Sequence, residues 1–146
     1  MNGAKAFFDT NVLLYMYGGD PTKRQRAKEL FRECARAGRM LLSTQVVQEF
    51  YAAGSRKLGI PRRELRDATA ALLDCPLLIV GPSHITSAIQ NEEQHKISFW
   101  DALILAAAES GGADVLYTED LNDGQQYGTV LVRNPFRSAE EISSNH

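Results

Sequence analysis

Residues 5–15 read Lys-Ala-Phe-Phe-Asp-Thr-Asn-Val-Leu-Leu-Tyr, and the fold turns on how this stretch divides. Residues 5–8 form a short apolar strand that stops at Asp9, and Val12, Leu13 and Leu14 then open a short helix. A carboxylate at a strand-to-helix junction is a natural N-cap. It also stands beyond the carboxyl end of a strand, where open α/β sheets bind their ligands.

Outward from this stretch, Asp20-Pro21 marks a helix start. Ala27, Leu30, Phe31 and Cys34 follow at amphipathic spacing, and Gly38 is a C-terminal stop. Residues 39–43 read as a second strand. From residue 44 a helix presents Val46, Val47, Phe50, Tyr51 and Gly54 on one side, with Glu49 beside that apolar face. Pro61 opens a helix with an inner stripe of Leu65, Ala68, Thr69 and Leu72, and residues 77–80 have the character of a buried strand. A helix from Ser83 carries Ile85, Ala88 and Ile89. Another starts near Ser98 and is apolar almost all round up to Gly111-Gly112, so it belongs at the centre. Residues 114–117 and 129–132 are the last strands, separated by the loop Thr-Glu-Asp-Leu-Asn-Asp-Gly. This order predicts an α/β/α sandwich around a mostly parallel sheet, with residues 1–136 as one domain and 137–146 as a polar tail.

The 146 residues, 44% hydrophobic and 23% charged, are those of an ordinary globular chain and exclude a fibrous or low-complexity protein. Cys34 and Cys75 belong to no paired motif, which excludes a zinc cluster or disulfide framework and suits a reducing compartment. Asp9 interrupts the apolar N-terminal stretch, and no run approaches the ~20 apolar residues of a membrane span, so a cytoplasmic location with no membrane association is expected. The formal charge of −2 conceals an asymmetry: residues 1–73 hold 13 Lys+Arg against 7 Asp+Glu (+6), and residues 74–146 hold 3 against 11 (−8). A basic half fits a phosphate-bearing partner and an acidic half can supply metal ligands, although solvated helix faces would give the same pattern.

Four acids stand out, and each has an ordinary explanation when taken alone. Asp9 can cap a helix. Asp101 completes the S-x-x-[DE] capping box begun by Ser98. Glu49 can be a surface helix residue, and Asp120 a turn residue beside Glu119. Together they sit at two strand ends and near two helix starts, able to converge at one sheet edge. Like charges about 4 Å apart at an effective dielectric near 20 repel by about 4 kcal/mol per pair, which a divalent cation relieves. Oxygen-only ligands select Mg²⁺, with Mn²⁺ as a substitute, and such ions serve hydrolysis of nucleic-acid phosphodiesters.

The segments FFDTNVLLY, TQVVQEF, SFWDALIL and LYTEDLNDGQ, closed by NPF at 134–136, make the chain resemble the PIN domain, in particular VapC-type toxins of bacterial toxin–antitoxin pairs. The resemblance runs from Phe7 to about Phe136. It implies an Mg²⁺-dependent endoribonuclease with Asp9 and Asp101 as principal catalytic and metal-binding acids. Glu49 and Asp120 complete the set, and Asn11 and Thr118 give polar support. An extended segment lets only one of Glu119 and Asp120 face the site, and Asp120 is expected to be that acid. The resemblance further implies an RNA substrate, a cognate antitoxin lying across the active-site groove, and a homodimer. The basic residues Arg24, Arg26, Arg32, Arg36 and Arg39, and above all Arg56, Lys57, Arg62, Arg63 and Arg66, are candidates to grip phosphates.

Rival readings are a housekeeping RNA-processing PIN nuclease without an antitoxin and a non-catalytic RNA- or protein-binding module of the same fold. A phosphatase of the haloacid-dehalogenase kind is opposed by Asn11, which stands where that family keeps its second Asp. No P-loop or dinucleotide fingerprint is present, and His84, His95 and His146 are scattered without a nucleophile elbow.

Overall fold

The computed structural model describes residues 4–137. The opening stretch divides as its pattern requires. Strand β1 (Ala6–Phe8) is buried at every position, and helix α1 (Thr10–Tyr15) follows at once with Asp9 as its N-cap. Asp20 caps α2 (Pro21–Arg36) by accepting from the Thr22 and Lys23 amides, and Gly38 turns the chain at φ +68°. Next come β2 (Met40–Ser43), α3 (Thr44–Arg56) and α4 (Arg62–Leu73), then β3 (Leu77–Leu78), α5 (Pro82–His95) and α6 (Phe99–Ser110). The chain finishes with β4 (Val115–Tyr117), β5 (Gln126–Tyr127) and β6 (Val130–Arg133).

The six strands lie in the order β3-β2-β1-β4-β6-β5, all parallel except the β5–β6 hairpin. The chain steps from β1 through β2 to β3 in one direction, then returns across β1 to β4 in the other. Right-handed crossovers therefore put α1–α4 on one face and α5–α6 on the opposite face, the expected three layers. The direction reverses between β1 and β4, so their carboxyl ends flank the switch point. Phe7, Phe8, Leu42, Val46, Phe50 and Leu116 fill the core, and α6 is buried from Ala102 through Ala108, as a central helix must be.

Three local expectations are corrected. Residues 77–80 are not a buried strand: only Leu77 and Leu78 pair with β2, they are half-buried at the sheet edge, and Ile79 is 74% exposed. On α5 only Ala88 is buried, because α5 meets α6 through this small residue against Ala102 and Leu103, leaving Ile85 and Ile89 exposed. The β5 strand has no apolar run to announce it. It exists because Gly128, at φ +58°, folds residues 126–127 back onto β6. Of the polar tail, only Arg137 falls within the described residues. Among those residues, no helix is long and apolar enough to cross a membrane.

Helices α3 and α4 pack closely at Gly54, where an added Cβ would lie 2.7 Å from Leu65 Cδ1 and 3.3 Å from Ile60 Cδ1. Gly54→Val should therefore destabilise the protein by about 1–3 kcal/mol through overpacking, measured by denaturant unfolding. An unchanged midpoint would show that the two helices separate at little cost.

Candidate active site

Asp9 leaves β1 with its backbone amide still bonded to the Tyr117 carbonyl at 3.0 Å, so the β1–β4 ladder extends to the site itself. The Phe8↔Tyr117 register places Thr118 opposite Asp9. The Thr118 hydroxyl donates to Asp9 Oδ2 at 2.7 Å, and the Thr10 amide at the start of α1 donates to Oδ1 at 2.7 Å. Asp9 is 4% exposed and Thr118 is 1% exposed. The capping reading of Asp9 is thus realised, and the same carboxylate lines a cleft.

The Thr118 hydroxyl also accepts from the Asp120 amide at 3.0 Å, while Asn11 Nδ2 donates to Asp120 Oδ2 at 2.8 Å. Asp120 is turned toward the acids and Glu119 away from them. Glu119 instead pairs with Lys23 of α2, whose ammonium also lies over the Tyr15 and Phe136 rings. Alternation along the 118–120 segment together with this ion pair decides between the two neighbouring acids.

Glu49 comes from α3, where Thr10 Oγ1 donates to Oε1 at 2.8 Å and Gln45 Nε2 donates to Oε2 at 3.3 Å. The Gln45 amide reaches the Trp100 carbonyl at 3.2 Å as well, tying α3 to the first turn of α6. Asp101 sits in that turn, its amide capped by Ser98 Oγ at 3.1 Å. Thr10 and Gln45 were not among the sequence candidates. Gln45 stands four residues before Glu49, the spacing at which helical side chains meet, whereas Thr10 gives no signal apart from its place between Asp9 and Asn11.

All four acids line one cleft of about 300 Å³, together with Asn11, Trp100, Arg56 and Lys57. No three Asp, Glu, His or Cys side chains among the described residues are gathered into a ready-made metal-ligand group. Of the basic candidates, Arg56 and Lys57 reach this cleft. Arg62, Arg63 and Arg66 are exposed on α4 and are not in its lining. Arg24, Arg32 and Arg36 line a separate hollow of about 500 Å³ between α2 and α4 that shares no residue with the cleft. Arg26 is bonded to the Pro135 carbonyl and Arg39 to the Ala4 carbonyl, so both hold the chain in place.

The electrostatics follow from burial. Desolvation pushes the Asp9 carboxyl up to about 7 against the lowering effect of its Thr118 and Thr10 bonds, and the charges of Asp120 and Asp101 push it further up. Asp101 is raised in the same way, by burial first, with Asp120 and Glu49 adding to it against the Ser98 bond.

A PIN-domain family model matches residues 6–123, and the chain belongs to the PIN-domain family. No curated protein matches it. Among solved structures it is similar to the Mycobacterium tuberculosis toxin VapC20, described as cleaving the sarcin-ricin loop (TM-score 0.66, 23% identity, covering 80% of this chain and 90% of that one). It is also similar to a toxin–antitoxin complex from Klebsiella pneumoniae (TM-score 0.68, 21% identity, 90% and 98% covered). A third similar structure is VapBC2 of Rickettsia felis bound to promoter DNA (TM-score 0.60, 16% identity, 88% and 96% covered). These likenesses establish the fold.

A carboxyl raised to about 7 stabilises the folded chain while protonated, and that contribution is lost as pH rises through its folded pKa. In EDTA, the melting temperature should fall between about pH 4 and about pH 7, and Asp9→Asn should flatten the fall. A slope that survives the substitution would locate the titrating proton elsewhere.

Proposed function

We propose that this PIN-domain protein is an Mg²⁺-dependent endoribonuclease and the toxin of a toxin–antitoxin pair, with Asp9, Glu49, Asp101 and Asp120 as its catalytic acids. The observation that carries the reading is the buried Asp9 carboxylate. It is held at the switch point of the sheet, in a cleft whose lining combines three further acids with two cations.

The donor set suits a hard cation. Every candidate ligand is a carboxylate oxygen, and Asp9 lies buried beside the like charges of Asp120 and Asp101. Mg²⁺ keeps several of its waters and needs only one or two carboxylates, so it does not require a three-acid group. Asp9 and Asp101 would hold it, with Glu49 and Asp120 acting directly or through water. Bound there, the ion would supply an activated water and neutralise charge on the phosphodiester. The chain's own residues do the positioning: Thr118 and the Thr10 amide fix Asp9, Asn11 fixes Asp120, and Thr10 with Gln45 fixes Glu49. Arg56 and Lys57 attract the phosphate backbone across the mouth of the cleft.

The similar VapC20 is described as cleaving the sarcin-ricin loop, and the similar Klebsiella pneumoniae structure is described as a toxin–antitoxin complex. They support RNA as the substrate and an antitoxin as the partner of this chain. A homodimer and a cytoplasmic location belong to the same reading.

Purified protein should cut a mixed RNA pool at low salt with Mg²⁺ or Mn²⁺ but not with EDTA. Asp9→Asn and Asp101→Asn should abolish cutting, and Thr118→Val should slow it by about 10- to 100-fold. A folded protein that binds RNA but cuts nothing under any of these conditions would be a binding module. Replacing Arg56 and Lys57 by Glu should weaken RNA binding uniformly across sequences and reduce its salt slope by about 2. An unchanged slope would remove both residues from the phosphate path.

A further inference from the structure

Beside the acidic cleft opens a second hollow of about 280 Å³, and the two share Asn11 and Leu14 in their linings. The segment 56–58 spans both, sending Arg56 and Lys57 into the cleft and Leu58 into the hollow. The walls of the hollow are Leu14, Leu58 and Tyr15, and its space depends on two glycines. A Cβ on Gly18 would lie 3.3 Å from Leu58, and one on Gly19, itself at φ +86°, would lie 3.3 Å from the Tyr15 ring. Among the described lining residues Glu119 alone is charged. Lys23 anchors its side chain, so the acceptor is held in place.

We propose that this hollow is a base-recognition subsite, selective for guanine, for the nucleotide next to the phosphate held in the cleft, and that Glu119 is its specificity-determining residue. The assignment rests on reading the cleft as a phosphodiester site, because a base adjoining that phosphate falls beside it. A carboxylate only accepts hydrogen bonds. On its pairing edge guanine presents adjacent N1–H and N2–H donors. Adenine and cytosine put a ring-nitrogen acceptor beside their single amino group, and uracil flanks its one N–H with two carbonyls. A fixed acceptor between apolar walls therefore favours guanine and repels the alternatives, the manner in which single-stranded RNA bases are read on their pairing edges. The three-residue segment Thr118–Asp120 then has a divided role, with Thr118 and Asp120 serving the acids and Glu119 the neighbouring base.

The test compares two labelled single-stranded RNAs by fluorescence anisotropy at low salt, with Ca²⁺ replacing Mg²⁺. One is oligoadenosine, and the other is the same strand with guanosine at one internal position. The guanosine strand should bind about tenfold more tightly, and Mg²⁺-dependent cuts should fall at a fixed offset from the guanosine. Glu119→Gln removes one acceptor while keeping a polar group for Lys23, and Leu58→Trp narrows the hollow without touching the acid. Each should bring the affinity ratio close to one. A ratio near one in the unsubstituted protein, or a ratio that survives both substitutions, overturns the subsite. If the ratio behaves as expected but no RNA is cut with Mg²⁺, the subsite stands and the nuclease reading fails. If RNA is cut with no guanine preference, the subsite fails and the nuclease reading stands.

Discussion

A buried carboxylate at the carboxyl end of the central strand is the constraint around which this protein is organised. Removing an ionisable group from water is costly unless it is paired or hydrogen-bonded. Asp9 has two bonds, one from the first amide of α1 and one from the Thr118 hydroxyl. Both depend on the β1–β4 register, which the apolar β1 strand secures by burying Phe7 and Phe8 on opposite sides of the sheet. Those two bonds do not offset the burial, because the carboxyl remains raised to about 7. The fold therefore holds a group that favours a proton or a cation, at the place where an α/β sheet opens to ligands.

The other acids are attached to this one through short polar links. Thr118 touches both Asp9 and Asp120, and Thr10 touches both Asp9 and Glu49. Gln45 joins Glu49 to the turn that carries Asp101. The acids come from both halves of a chain whose charge is basic in one half and acidic in the other, and the two halves meet in the cleft. Only part of the basic half faces it. Arg26 and Arg39 are committed to backbone carbonyls, and Arg24, Arg32 and Arg36 line a different hollow, so the charge asymmetry overstates the cationic surface that faces the cleft.

Much of the fold was legible because the decisive signals are local. Asp20-Pro21, Pro61, Ser98 and the glycines after the helices mark boundaries through the chemistry of their own backbone. Asp9, Asp101 and Asp120 were legible because each stands at or close to a junction between elements, whereas Glu49 lies inside α3 and was marked only by its place beside that helix's apolar face. What escaped depends on tertiary context. An apolar run at 77–80 reads the same at the centre of a sheet as at its edge, and the α5 stripe gives no hint that only Ala88 would be covered. The choice between Glu119 and Asp120 is fixed by Lys23, 96 positions away. Gln45 becomes meaningful only once α3 and α6 are seen to meet.

The claim that this carboxylate cluster is a cation site is tested most directly by titrating the protein with Mn²⁺ and following the loss of the free-ion electron paramagnetic resonance signal. A cation site built on these acids should give saturable binding that weakens sharply in Asp9→Asn and in Asp101→Asn, and that Mg²⁺ displaces. Binding that is absent from the unsubstituted protein, or equal in all three proteins, would contradict it.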